Sequence, residues 1–116
     1  MSAQTVYVCE VREVFSGDDL IALVDLGVEN LWKRQRIRLS GVDTPPAINA
    51  TGDTEAGKIR SYVRALTRGR KGELIIVNRN SNSWVVTLMV ETPEGIVNVN
   101  DVLISRGYQF KTKVTP

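Results

Sequence analysis

Histidine is absent from this chain of 116 residues, and cysteine occurs once, as Cys9. The first absence removes Ser-His-Asp and Cys-His catalysis, and the two together leave no ordinary route to a zinc site built by the protein itself. A single cysteine cannot close an internal disulfide. Cys9 stands in an alternating apolar run and reads as a small buried hydrophobe in a reducing, intracellular (cytoplasmic) setting. No stretch approaches the roughly 18 apolar residues of a membrane-spanning helix. No signal peptide precedes the first strand-like segment, and no repeat, linker or low-complexity segment interrupts the chain. Any chemistry must therefore use carboxylates, guanidinium groups and a hard metal ion.

What is present fits one globular domain, with 42% hydrophobic and 24% charged residues in a length able to bury a single core. The expected domain spans 1 to 116, with a core of about 5 to 108 and a tail at 109 to 116 that carries no strong signal. A net charge of +2 is too small to announce a nucleic-acid protein, so its distribution matters more. "WKRQRIR" at 32 to 38 packs Lys33, Arg34, Arg36 and Arg38 together, and "KIRSYVRALTRGRK" at 58 to 71 is basic with no acid.

"TVYVCEVREVF" and "LIALVDLG" read as β-strands of a meander, separated by the turn "SGDD", where Gly17 tolerates positive φ. "RQRIRLSGV" alternates, placing Ile37 and Leu39 on one face and Arg34, Arg36 and Arg38 on the other. From about Thr54 to Arg68 the period turns helical, with Ala56, Ile59, Val63 and Leu66 in one stripe and Arg60, Arg64 and Arg68 in its neighbour. "ELIIVNR" and "WVVTLMVE" read as two strands joined by the polar "NSNS". After the turn "TPEG", "NVNDVLISRG" reads as a short helix with an Asn cap and Gly107 past its end. Three strands, helix, two strands, helix predicts a mainly-β, α+β domain: a closed five-stranded β-barrel of the OB type with a helix over one end. Such barrels often bind oligonucleotides, yet fold alone does not establish function.

The motifs Gly17-Asp18, Arg38, Asp43-Thr44-Pro45, Gly52 with Glu55-Ala56, and Val99-Asn100-Asp101 fall in order and spacing. Over roughly residues 5 to 108 the chain resembles the staphylococcal-nuclease-like (thermonuclease) domain family. The resemblance implies that Asp18, Asp43 and the Thr44 carbonyl correspond to oxygen ligands of a calcium ion, which favours hard oxygen donors. It implies that Arg38 corresponds to an arginine gripping the scissile phosphate. Beside each stands an ordinary alternative, a turn acid or a solvated strand arginine.

Two positions depart from the family pattern. Pro46 stands where the family places the glutamate that prepares the attacking water, and motif spacing puts Trp84 where a second phosphate-binding arginine should be. Proline cannot serve as a base, and an indole offers one neutral donor. Losing a single preorganised charge typically costs about 10² to 10³ in rate. Arg79 and Glu55 are the candidates to replace the missing groups. The reading is a catalytically degenerate relative that binds single-stranded nucleic acid. Arg34, Arg36 and Arg38 would lie on the strand face, Arg60, Arg64 and Arg68 on the helix, and Trp84 would act as a stacking platform. The alternatives are a calcium-dependent phosphodiesterase of low or relocated activity, and a protein-interaction module that has kept only the barrel. Trp84 filling the core or rim, and a basic stripe that is only a solvated face, remain open.

Overall fold

A computed structural model describes residues 4–47, 51–80 and 82–109. The expected tail lies outside the described residues except for Gln109, which forms a bridge to Val42. The elements are β1 (Val6–Ser16), β2 (Asp19–Asp25), β3 (Trp32–Leu39), α1 (Glu55–Thr67), β4 (Lys71–Arg79), β5 (Trp84–Thr92), β6 (Gly95–Asn98) and α2 (Val99–Ser105).

Five strands close into a ring. β1 pairs antiparallel with β2 and β4, β2 with β3, and β4 with β5, and the circle is completed by a parallel pairing of β3 with β5. This is a mainly-β, α+β barrel with the strand order expected of an OB-like fold. β6 was not foreseen in the sequence: it pairs only with β5, outside the ring, and inserts a strand between β5 and α2. Register shifts between Val11 and Glu13 and between Val14 and Ser16 mark bulges in β1, which bend a long strand and increase its twist.

The alternation in β3 is realised, with Gln35, Ile37 and Leu39 buried and Arg34, Arg36 and Arg38 exposed. Inward residues from every ring strand meet in one cluster with Ile59 and Val63 of α1 and Leu103 of α2. Leu20, Leu74, Leu88 and Leu103 are fully buried, each contributing about 1.5–3 kcal/mol over an exposed position. Helix α1 is capped at Thr54, whose hydroxyl accepts from Gly57 N at 3.0 Å, and it packs against β1. Helix α2 is capped by Asn98, which accepts from Asp101 N at 3.0 Å, and Gly107 beyond it takes φ 95°.

Gly17 differs from expectation. It has no positive φ; it is needed because a Cβ there would lie 2.6 Å from the Thr44 side chain. The β1–β2 turn and the segment after β3 thus touch with no room for a side chain between them.

Cys9 lies fully inside the core. Burial, and secondarily the charge of Glu73, pushes its thiol up to about 12. Because the thiolate is the reactive species, Cys9 is expected to resist a disulfide reagent at pH 8 in the native protein and to react fully in denaturant. Rapid native labelling at a rate independent of stability would contradict this burial.

Among the described residues no helix is long and apolar enough to cross a membrane.

Candidate functional site

The site forms where the β1–β2 turn meets the end of β3 and the segment that follows it. β2 pairs with β3 in a register that sets Asp19 beside Arg38, and the bulge before Ser16 turns Phe15 outward. A cavity of about 490 Å³ opens here, lined by Phe15, Ser16, Asp18, Asp19, Arg36, Arg38, Pro46 and Ala47.

Asp18 is only 4% exposed. Its Oδ1 accepts from the Ser16 hydroxyl at 3.0 Å and the Thr44 hydroxyl at 2.8 Å, and its Oδ2 accepts from Arg38 Nη2 at 3.2 Å. Asp19 accepts from Arg36 Nε at 2.9 Å and from its Nη2. This fork-to-carboxylate pairing is the strong geometry for arginine. The hydrogen bond to Asp19 first, and its charge second, hold the Arg36 guanidinium above its ordinary value. Arg36 Cζ also lies 5.5 Å from the centre of the Phe15 ring. Phe15 is 42% exposed, so its ring borders the cavity without being consumed by the core.

Asp18, Arg38 and Pro46 are therefore brought together, as the motif spacing predicts, but Asp43 is not. It is exposed, its backbone N–H is held by the Tyr108 carbonyl at 2.8 Å, and it does not line the cavity. Thr44, the next residue, turns inward instead. Calcium takes six to eight oxygen ligands, with carboxylates among them. Asp18 already accepts from three donors, and among the described residues no three carboxylate, cysteine or histidine side chains are placed to hold a metal. An ion there would compete with these three donors for Asp18.

Trp84 also sits elsewhere. In the parallel pairing it is registered with Ile37, whereas the partner of Arg38 is Val85. Neighbours on adjacent strands share a face, and a shift of one residue reverses it, so Trp84 points to the core side and stacks on Tyr7 with ring centres 5.4 Å apart. Arg79 lies 5.1 Å from the Trp84 centre and 5.6 Å from that of Tyr7, and it donates to the Tyr7 hydroxyl at 2.9 Å. Lys33 Nζ stands 5.2 Å over the indole. Glu55 accepts from the Tyr108 hydroxyl at 3.1 Å. Neither Arg79 nor Glu55 lines the Asp18–Arg38 cavity.

The other arginines divide by role. Arg34 pairs with Glu13 at 2.8 Å. Arg60 donates to the Ala47 carbonyl at 3.0 Å, tying α1 to the segment that follows β3, and Arg64 donates to the Val14 carbonyl at 3.3 Å. Arg68 is exposed at the end of α1. Sequence reasoning missed Phe15, Asp19 and Tyr7. For Phe15 the available signal was an aromatic directly before a Ser-Gly turn.

No protein-family model matches the sequence, and no curated protein matches it either. Among solved structures, the chain is similar to extended Tudor domain TD3 of mouse TDRD1, determined in complex with a MILI peptide containing dimethylarginine. The TM-score is 0.65 at 12% identity, over 93% of this chain and 94% of that one. At that identity the likeness concerns the fold.

Proposed function

We propose that this chain is a non-cleaving, staphylococcal-nuclease-like barrel of the OB type that binds single-stranded nucleic acid. The observation that carries this reading is the single cavity shared by an exposed phenyl ring and two guanidinium groups. A base can stack on Phe15 while phosphate oxygens take N–H donors that Arg36 and Arg38 do not spend on Asp19 and Asp18; each guanidinium has five. Cleavage needs more. At position 46 a proline ring replaces the group that would prepare water, and the residue opposite Arg38 is Val85, which carries no charge.

The test is fluorescence anisotropy with a short single-stranded oligonucleotide, in calcium and in chelator, with the products run on a gel. Expected are binding that weakens with salt at a log–log slope of about −0.7 per phosphate neutralised, no dependence on chelator, and intact oligonucleotide. Phe15→Ala should cost about 1–3 kcal/mol of binding. Absence of binding at low salt would remove the reading, and chelator-sensitive turnover would make the chain a working nuclease.

A second reading, a protein-interaction module, is favoured by one other observation. The Tyr7–Trp84 pair already holds a guanidinium, that of Arg79, in cation–π geometry. The solved Tudor neighbour carries a dimethylarginine peptide, and such a side chain would compete with Arg79 for these rings. Titration with a dimethylarginine peptide, read by chemical shifts at Tyr7 and Trp84, separates this reading from the first.

A further inference from the structure

Phe15 borders two cavities. Beyond the one it shares with Arg36 and Arg38, a second of about 360 Å³ is lined by Glu13, Val14, Phe15, Arg64 and Arg68. A third of about 330 Å³ shares Glu13 and Arg68 with the second and adds Val11, Arg12, Arg34 and Gly69. The first and second share Phe15 and the second and third share Glu13 and Arg68, which sets the three in sequence beside β1 and the end of α1. Both outer cavities have volumes in the range of pockets that take a drug-sized molecule such as one nucleotide.

We propose that a single-stranded phosphodiester chain runs along this β1–α1 seam, from the Phe15 cavity past Arg64 and Arg68 to Arg34, with Glu13 as the carboxylate it must displace. This rests on the nucleic-acid reading above and gives it a path. The charge pattern selects the occupant: guanidinium groups stand on both walls, from α1 on one side and from β1 and β3 on the other. Glu13 is the one carboxylate among the residues lining the two outer cavities. Its pairing with Arg34 at 2.8 Å is between half-exposed side chains, so exchange for a phosphate costs little. Arg64 is steadied over the seam by the Val14 carbonyl, which limits the side-chain entropy lost on binding. Successive small cavities suit a flexible single strand, whose nucleotides can enter one at a time. Arg60 and Trp84 line none of the three cavities; the one is bound to the Ala47 carbonyl and the other is stacked on Tyr7.

The experiment compares Arg68→Ala, Arg64→Ala, Glu13→Gln and Lys71→Ala with wild type, using DNA and RNA oligonucleotides of one sequence across a salt series. Thermal melts confirm that each variant is folded. Lys71→Ala removes one positive charge on β4, at a residue that lines none of the three cavities. Expected are a slope flattened by about 0.7 and roughly five- to tenfold weaker low-salt binding for each arginine variant, tighter binding for Glu13→Gln, and no change of slope for Lys71→Ala. If the wild type does not bind, the parent reading falls. If the wild type binds but the arginine variants match Lys71→Ala, or Glu13→Gln gives no gain, the path is wrong while the parent reading stands. Equal effects on DNA and RNA identify the shared phosphodiester as the ligand, and an effect confined to one assigns the seam to that polymer.

Discussion

Asn100→Asp is expected to leave the protein largely unfolded at neutral pH. The Asn100 amide accepts from Leu88 N at 2.9 Å and donates to the carbonyls of Ser40 at 2.9 Å and Val86 at 3.0 Å. It thereby joins α2 to β5 and to the end of β3 from a position only 4% exposed. A carboxylate can make the first bond, but it turns negative oxygens toward two carbonyl oxygens in a buried site. Removing a hydrogen-bonded buried group costs about 1–3 kcal/mol, and more where a charge is left unpaired. With a typical domain stability of about 5–15 kcal/mol, a loss of roughly 4 kcal/mol or more takes most of the reserve. The sign with pH follows. Burial would raise the new acid above its unfolded value of about 3.9, so stability would be greatest below that value and would be lost as pH rises through the folded one. Urea melts between pH 4 and 8 read this directly. A variant as stable at pH 7 as at pH 4 would show that Asn100 is no keystone.

The second large effect belongs to Asp18, and it separates an anchor from a metal ligand. Asp18→Ala strips acceptors from the Ser16 and Thr44 hydroxyls and leaves Arg38 without its carboxylate, so a loss of about 2–4 kcal/mol is expected. Asp18→Asn keeps the shape and one acceptor oxygen and should cost only about 1 kcal/mol. By releasing Arg38, the asparagine variant should also bind a single-stranded oligonucleotide several-fold more tightly. Millimolar calcium should leave the melting temperature of the wild type unmoved, because an ion that binds the folded state stabilises it in proportion to RT ln(1 + [L]/Kd). Calcium-dependent stabilisation of the wild type, lost in Asp18→Asn, would overturn the anchor role and restore the cation site.

How much was legible follows from which signals are local. The alternation around Ile37 and Leu39, the helical stripe through Ile59 and Val63, and the Asn98 cap are written in neighbouring residues and are read correctly, whereas the cap at Thr54 emerges only from the structure. β6 is not: it has four residues, two of them exposed and two intermediate, and so lacks a period to detect. The misplacement of Trp84 has a different cause. Motif spacing locates a strand to within about one residue, but in a sheet one residue decides the face, and the pairing of Ile37 with Trp84 rather than with Val85 is set by the closed ring. Asp43 is a different case: its spacing from Asp18 fits a shared site, and the structure leaves it exposed beside the buried Thr44, with its backbone N–H bonded to Tyr108, a partner far along the chain. Phe15 was passed over because the bulge that re-aims it depends on the register with β2.

The parallel junction of β3 with β5 has a further consequence, in the order of folding events. The β1–β2–β3 meander needs only hairpin-range contacts, whereas the pairing of Ile37 with Trp84 must wait until α1, β4 and β5 have been laid down. Closing so long an excursion exacts its entropy before any contact repays it. Until then β3 keeps an unpaired edge of the kind that recruits other chains. Arg34, Arg36 and Arg38, alternating along that strand, supply the charge with which sheet proteins discourage such pairing. The arginines that line surface cavities in the finished barrel therefore also guard its open edge while the ring is still unclosed.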